Sequence, residues 1–363
     1  MSRRPAGELR RGWTTGACAA AAARAALSAL LTGRFPDPVT IRLPQGERPS
    51  FALALAERGE RSARAGIVKD AGDDPDVTHG VLVIAEIAYG PPGSGLVFHA
   101  GSGVGRVTRP GLPIAIGEAA ITAGPRAMIA AALDDAAADS ESERPADLAV
   151  TLSIPGGEAL AAKTLNARLG IIGGLSILGT TGIVTPYSCA AWIHSIHRGI
   201  DVARAAGLTH IAAATGSTSE QAVQRLFALP ETALIDMGDF VGGTLKYLRR
   251  HPVPRLTLAG GFAKLAKLAS GHLDLHSGES KVDAAALAAM LGALGGDAAS
   301  IAAAQEAKSA GEVLALAGAQ REALALAVAR QAREVALATL AGGIAVDVAV
   351  FDRAGKLLAH AGG

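Results

Sequence analysis

Two cysteines, a handful of aromatic side chains and almost no surplus of charge are what this 363-residue chain has least of, and each shortage removes a class of function. Cys18 and Cys189 lie far apart, outside any CxxC or Cys/His cluster. Neither a disulfide framework nor a structural zinc site is expected, and a reducing, cytoplasmic setting is. Two Trp, three Tyr and seven Phe offer little for base stacking, and 34 Lys and Arg against 33 Asp and Glu leave a net charge of +1. Such a chain has no general field to hold a polyanion, so no nucleic-acid partner is expected. Uncharged spans are scarce too. Residues 169–196 run 28 positions without Asp, Glu, Lys or Arg, yet five glycines and Pro186 make a poor membrane helix and a better buried glycine-rich loop. The arginines at positions 3, 4, 10 and 11 are not followed by an apolar signal core, so neither a signal peptide nor a membrane partner is expected.

What the chain does have is apolar mass and glycine. Apolar residues make up 50% and charged residues 18%, a balance that supports packed cores rather than disorder. Glycine numbers 45, nearly twice ordinary usage, without the period of a collagen. The length favours two domains, and the rhythm of the sequence changes midway. Residues 1–165 read as an α+β domain: a helix capped by Thr14 or Thr15 and running to about Leu31, strands over 39–43, 50–57, 63–69, 80–89, 95–100 and 148–154, and a helix over 125–137. Residues 166–363 read as a Rossmann-like α/β domain with a mainly parallel sheet. Strands at 208–214, 233–235 and 255–259 are each followed by a glycine-containing loop and a helix, then come Ala-rich helices over 283–340 and a C-terminal hairpin.

Three glycine loops could carry chemistry. Gly101, Gly103 and Gly105 follow a strand, but Pro110-Gly111 prevents the helix that a dinucleotide fingerprint requires. Thr215-Gly216-Ser217 is better placed: a strand precedes it, Ser217 and Glu220 fit a capping box, and Asp236 ends the next strand 20 residues on. Dinucleotide and adenosyl cofactors use that layout, because loop backbone approaches the ligand while the carboxylate meets ribose hydroxyls. A plain strand–turn–helix connection explains it nearly as well. The loop from Gly170 to Gly182 has no P-loop lysine, and offers backbone N–H groups and the hydroxyls of Ser176, Thr180 and Thr181 among Ile and Leu. It suits an adenosyl group, or else close packing of backbone on backbone.

Asp70, Asp73, Asp74 and Asp76 crowd into seven residues between two strands. A solvated acidic turn is the plainest reading. A hard-cation site misses the EF-hand spacing, and a catalytic loop would use the crowding to raise one carboxyl pKa toward neutrality. His272 and His276 are four apart but have no third ligand, so no metal site is assigned.

Taken together, R-R-G-W-T-T-G-A-C from Arg10, K-D-A-G-D-D-P-D-V-T from Lys69, G-S-G-V-G-R-V-T-R-P-G-L from Gly101 and L-G-I-I-G-G-L-S-I-L-G-T-T-G-I-V from Leu169 resemble the CbiD family of cobalt-precorrin-5B C(1)-methyltransferases. M-G-D-F-V-G from Met237 and V-F-D-R-A-G-K-L-L from Val350 extend the resemblance to the end of the chain. It implies methyl transfer from S-adenosyl-L-methionine to carbon C1 of a cobalt-containing corrinoid in cobalamin biosynthesis. On that footing the Asp70, Asp73, Asp74 and Asp76 loop is the expected proton acceptor or sulfonium partner, with Asp73 and Asp74 leading. Arg106, Arg109 and Arg168, with Thr14, Thr15 and His276, are the expected contacts to the anionic macrocycle. Gly173, Gly174, Thr180, Thr181 and Gly182, and separately Thr215, Gly216, Ser217, Asp236, Gly238 and Asp239, are the expected cofactor contacts. A nicotinamide-dependent oxidoreductase and a non-catalytic tetrapyrrole-binding protein are the competing readings, and a homo-oligomer is compatible with either.

Overall fold

A computed structural model describes residues 7–363, which form two compact units, one ending at Ser188 and the other beginning at Cys189. In the first, the helix Thr15–Thr32 starts where Thr14 accepts the Ala17 N–H at 3.1 Å and ends at Gly33, whose left-handed backbone closes the last turn. Nine of its residues are alanine, and side chains this small let neighbours approach from every side, so 14 of its 18 residues are buried. By length and apolarity it could cross a membrane, but its apolar residues are already spent inside the unit. It packs on the central strands of a five-stranded sheet and on the helix Ala123–Asp139, where Gly16 lies against Pro125. The sheet runs Leu55–Arg58, Ser62–Val68, Leu82–Tyr89, Leu148–Ser153, Leu96–Ala100, antiparallel except for the last pair. Leu148, Val150 and Leu152 alternate inward, the two-residue period that fixes which face meets the helices.

Two expectations change here. The strand expected over 50–57 is two strands: Ser50–Phe51 pairs with Val39–Thr40, and Leu55–Arg58 joins the main sheet. The unit boundary lies at 188/189 rather than 165/166 because residues 166–188 pair backward. Ile171–Ile172 pairs with Arg106–Val107, Gly174–Leu175 with Gly103–Val104, and Ile183–Val184 with Gly12–Trp13. Local composition gives no hint of these distant ladders.

The second unit has a sheet in the order Leu234–Asp236, His210–Ala214, Arg255–Gly261, Ala345–Phe351, Leu357–Ala361, with only the last strand antiparallel. The chain leaves the His210–Ala214 strand toward one neighbour and returns on its other side. This makes a topological switch point between His210–Ala214 and Arg255–Gly261, where open α/β sheets leave a crevice at the carboxyl ends of their strands. The Ala-rich region is four α-helices, Ala284–Ala293, Ala298–Gln305, Ala310–Leu316 and Arg321–Leu340. Asp283, Asp297 and Ser309 cap the first three with side-chain oxygens. The capping box expected from Ser217 and Glu220 does not form. Extended Gly216 is itself the N-cap, which makes Ser217 the first helical residue, and Ser219 Oγ donates to the Gly216 carbonyl at 2.8 Å.

Candidate functional site

In the first unit the acidic loop is knitted to two segments far away in sequence. The Trp13 N–H donates to the Asp70 carbonyl at 2.7 Å, and the Asp73 N–H donates to the Arg10 carbonyl at 3.0 Å. Gly12 and Gly72 permit this contact: a Cβ on Gly12 would lie 2.0 Å from the Ala71 carbonyl carbon, and one on Gly72 would lie 2.2 Å from the Arg10 oxygen. On the other side Gly12–Trp13 pairs with Ile183–Val184, and the Thr14 N–H donates to the Gly182 carbonyl at 3.0 Å. Residues 10–16, 69–79 and 178–187 thus form one surface.

Every carboxylate of the loop has a partner. Arg10 grips both oxygens of Asp70, and this guanidinium together with the Gly72 N–H holds the Asp70 pKa down at about 2. Asp73 accepts the Arg10 N–H at 2.6 Å, and Asp74 accepts the Tyr187 N–H at 2.8 Å. Asp76 pairs with Lys69, whose side chain is only 1% exposed and also donates to Thr78 Oγ1 at 2.6 Å. Burial pushes the Asp76 carboxyl up, but the Lys69 charge and hydrogen bonds from Lys69 and Thr78 outweigh it and hold the pKa below its ordinary value. The expectation that crowding raises a carboxyl pKa is therefore overturned at Asp70 and Asp76, because Arg10 and Lys69 neutralise the loop from beneath. Asp73 is exposed and engages one carboxylate oxygen through the Arg10 N–H. Arg10 and Lys69 were not assigned roles from sequence, although a lone lysine ahead of four aspartates is a charge-pairing signal.

Thr14 and Thr15 are buried and already occupied, the first as a helix cap and the second bonded both ways to the Leu178 backbone at 3.2 and 3.3 Å. Both side chains therefore serve the start of this helix and its contact with the Leu178 backbone. Arg106 is exposed, and its guanidinium reaches only the carbonyls of Gly117 and Ala100. Arg109 is exposed, with its stem lying on Gly170. Among the described residues neither arginine is paired with a carboxylate, while Arg168 is half-buried and already engaged. Ile116 and Ile172, 61% and 59% exposed, flank Arg106 through Gly117 and the Arg106–Ile172 pair. Cationic and apolar groups therefore share this surface.

The glycine loop from 170 to 182 is mostly packing. A Cβ on Gly174 would lie 2.3 Å from the Gly103 carbonyl carbon, and one on Gly103 would lie 1.8 Å from the Ile154 oxygen. Gly182 packs on Leu43, and the Thr181 hydroxyl is bonded to the Ile183 backbone. Close packing accounts for glycine at 174 and 182 and a local turn for Thr181, whereas Gly173 has open space and Thr180 is exposed.

In the second unit Ala214 is level with both Asp236 and Ala259, so Thr215, Asp236 and Gly260 meet at the crevice of the switch point. A Cβ on Gly260 would lie 2.9 Å from Thr215 Oγ1, while Gly216 and Gly261 face open space. The N-terminus of the helix Ser217–Phe227 opens at the same place, with Ser217 exposed. Trp192 donates from Nε1 to the Asp236 carbonyl at 3.2 Å and lies 3.4 Å from the position of a Cβ on Gly238. Asp236 is half-buried and engaged. Asp239 is buried and pairs with Lys264, and its carbonyl accepts the Leu275 N–H at 2.9 Å. Lys264 and Lys267 converge on the Leu275 carbonyl, and burial, with the Lys264 charge beside it, pushes the Lys267 pKa down. His276 lies exposed in the turn this knot anchors, with Nδ1 accepting the Gly278 N–H. A surface cavity of about 450 Å³ in the first unit is lined by Arg42, Leu43, Pro44, Met128 and neighbours, none of them a candidate residue.

Two family models match the chain, one described as CbiD over residues 2–186 and one as the CbiD C-terminal domain over residues 274–362. A cobalt-precorrin-5B C(1)-methyltransferase from Paramagnetospirillum magneticum is 60% identical over 97% of this chain and 98% of its own length. Proteins of the same name from Methylorubrum extorquens and Brucella anthropi are 60% and 58% identical over 97% of this chain, covering 98% and 96% of their own lengths. A crystal structure described as cobalamin biosynthesis protein (cbiD) from Archaeoglobus fulgidus is 28% identical, covers 74% of this chain and 82% of that one, and superposes with a TM-score of 0.40.

Proposed function

The chain belongs to the CbiD family, and from that premise we propose that it methylates carbon C1 of cobalt-precorrin-5B, using S-adenosyl-L-methionine and giving cobalt-precorrin-6A on the anaerobic, early-cobalt route to cobalamin. The observation that carries this reading is 60% identity, over almost the whole of both chains, to proteins bearing that enzyme's name. A cytoplasmic setting fits two cysteines that both remain thiols.

S-adenosyl-L-methionine supplies an electrophilic methyl group when bound. The crevice at the switch point fits an adenosyl ligand: Gly216 and Gly261 leave the backbone open, Thr215 and Asp236 offer oxygen atoms, and the helix start at Ser217 presents N–H groups. Gly173 and Thr180 in the first unit have open surroundings that would suit contact with the macrocycle. Cobalt enters within the substrate. Arg106 and Arg109 hold carboxylate arms of the macrocycle through charge-assisted hydrogen bonds, and Ile116 and Ile172 cover its apolar edge. Loss of a proton from the methylated ring requires an acceptor, and Asp73 is the carboxylate of the loop that is neither gripped by a guanidinium nor paired with an ammonium while being exposed. Asp70 and Asp76 keep the loop anionic around it.

Equilibrium binding separates this function from its competitors. The protein should bind S-adenosyl-L-methionine and not NAD(P)H, and labelled methyl should pass to the corrinoid. Tight NAD(P)H binding would point to an oxidoreductase, and corrinoid binding without donor binding would point to a carrier.

A further inference from the structure

Among the described residues four other than glycine have a left-handed backbone, and three of them end helices. Ala228 and Ala341 are C-caps, and Glu141 follows the C-cap Ser140, positions where the left-handed turn satisfies the last carbonyls. Tyr187 has no such reason. At φ 55° it follows Pro186 in the turn before the helix Cys189–Ala205, a left-handed turn position that glycine or asparagine normally fills. A β-carbon there costs free energy that glycine would not, and strain of this kind persists where its surroundings impose it and where function uses it.

The surroundings that impose it are visible. Asp74 of the acidic loop accepts the Tyr187 N–H at 2.8 Å, across 113 residues of sequence, and Pro186 beneath is buried. The ring is not what the fold needs. Among the described residues it belongs to no hydrophobic cluster and stacks on no other ring, and it stays half-exposed in a chain with only three tyrosines. Resting on the proposed methyl transfer, we propose that Tyr187 is a specificity-determining residue whose ring lies against the conjugated face of the corrinoid, with Asp74 as the positioning residue that holds it there. An aromatic face gains contact area with a flat conjugated ligand while immobilising few torsions, which is how ring platforms bind bases. Asp74 then acts through the backbone of Tyr187, which separates its role from that of Asp73.

The test uses the full chain and opposes two readouts. Tyr187→Gly should melt no lower than wild type, because the left-handed backbone is relieved, yet raise KM for cobalt-precorrin-5B about tenfold, with the Kd for S-adenosyl-L-methionine unchanged. Tyr187→Phe should keep wild-type KM. Ala341→Gly, which relieves the same backbone strain at a helix end, should raise the melting temperature with KM unmoved. A folded Tyr187→Gly protein with wild-type KM would overturn the proposal. So would a KM equally raised in Tyr187→Phe, since the ring face would then not be what binds. Absence of methyl transfer by the wild-type protein in the same experiment would instead remove the function on which the proposal rests.

Discussion

Lys69 and Asp76 permit the sharpest test of whether the acidic loop is a fixed scaffold. The Lys69 side chain is 1% exposed, and its ammonium is held by Asp76 and by Thr78 Oγ1. Asp76→Asn removes the countercharge and leaves that ammonium out of water with one neutral partner, a change that costs about 3–5 kcal/mol when one member of a buried pair is lost. For a cooperative unit of this size each kcal/mol is worth roughly 2–4 °C, so the melting temperature should fall by about 6–20 °C. The reverse deletion, Lys69→Met, should cost less, because Asp76 keeps the Thr78 N–H and hydroxyl and is 24% exposed to water. Removing both charges, as Lys69→Met with Asp76→Asn, should recover most of the loss, since no uncompensated charge stays buried. Calorimetry or circular dichroism on the four proteins closes the cycle. An Asp76→Asn protein within about 1 kcal/mol of wild type, or a double variant whose loss is the sum of the two single losses, would refute a buried, charged pair at this position.

Asp70 gives an acid signature. Its folded pKa lies below the unfolded value, so its contribution is full above about pH 4 and is lost as pH falls through about 2; Arg10→Ala should flatten that part of an acid-unfolding curve, and an unchanged curve would contradict the Arg10–Asp70 grip. Gly216→Val should cost no more than about 1–2 kcal/mol, the loss of a tolerated N-cap, because nothing lies within 4 Å of the new β-carbon and φ of 169° is ordinary extended backbone, while weakening S-adenosyl-L-methionine about tenfold or more in titration calorimetry. Gly103→Ala should cost about 3 kcal/mol or more in a denaturant titration, its methyl falling 1.8 Å from the Ile154 oxygen at a φ of 72°, without any selective loss of donor binding.

Local signals carried the reading of the fold a long way. Thr14 caps its helix as a threonine before an alanine run should, and the three strand–loop–helix units of the second half form the parallel sheet that their order requires. No helix follows Gly101–Gly105, as Pro110 implied; the loop leads instead into the strand Arg106–Val107, which the sequence did not announce. Backbone apposition was not legible. Nothing near Gly174 in sequence announces that Gly103 fills the space a side chain would need, and so packing glycines there passed for ligand glycines. The acidic loop misled for a related reason. Four neighbouring aspartates repel one another in isolation, but Arg10 arrives from 60 residues away and Lys69 folds beneath them, which reverses the sign of the pKa shift. Tyr187 carried one usable signal, a proline followed by a residue that rarely takes a left-handed turn.

Methyl transfer to one carbon is the proposed reaction. Cobalt-precorrin-5B incubated with the protein and isotopically labelled S-adenosyl-L-methionine, followed by mass spectrometry and carbon NMR of the corrinoid, measures it directly. The expected product is heavier by a single labelled methyl, located at C1, with S-adenosylhomocysteine formed in equal amount. An unchanged corrinoid mass, or a label at any other carbon, would contradict the account.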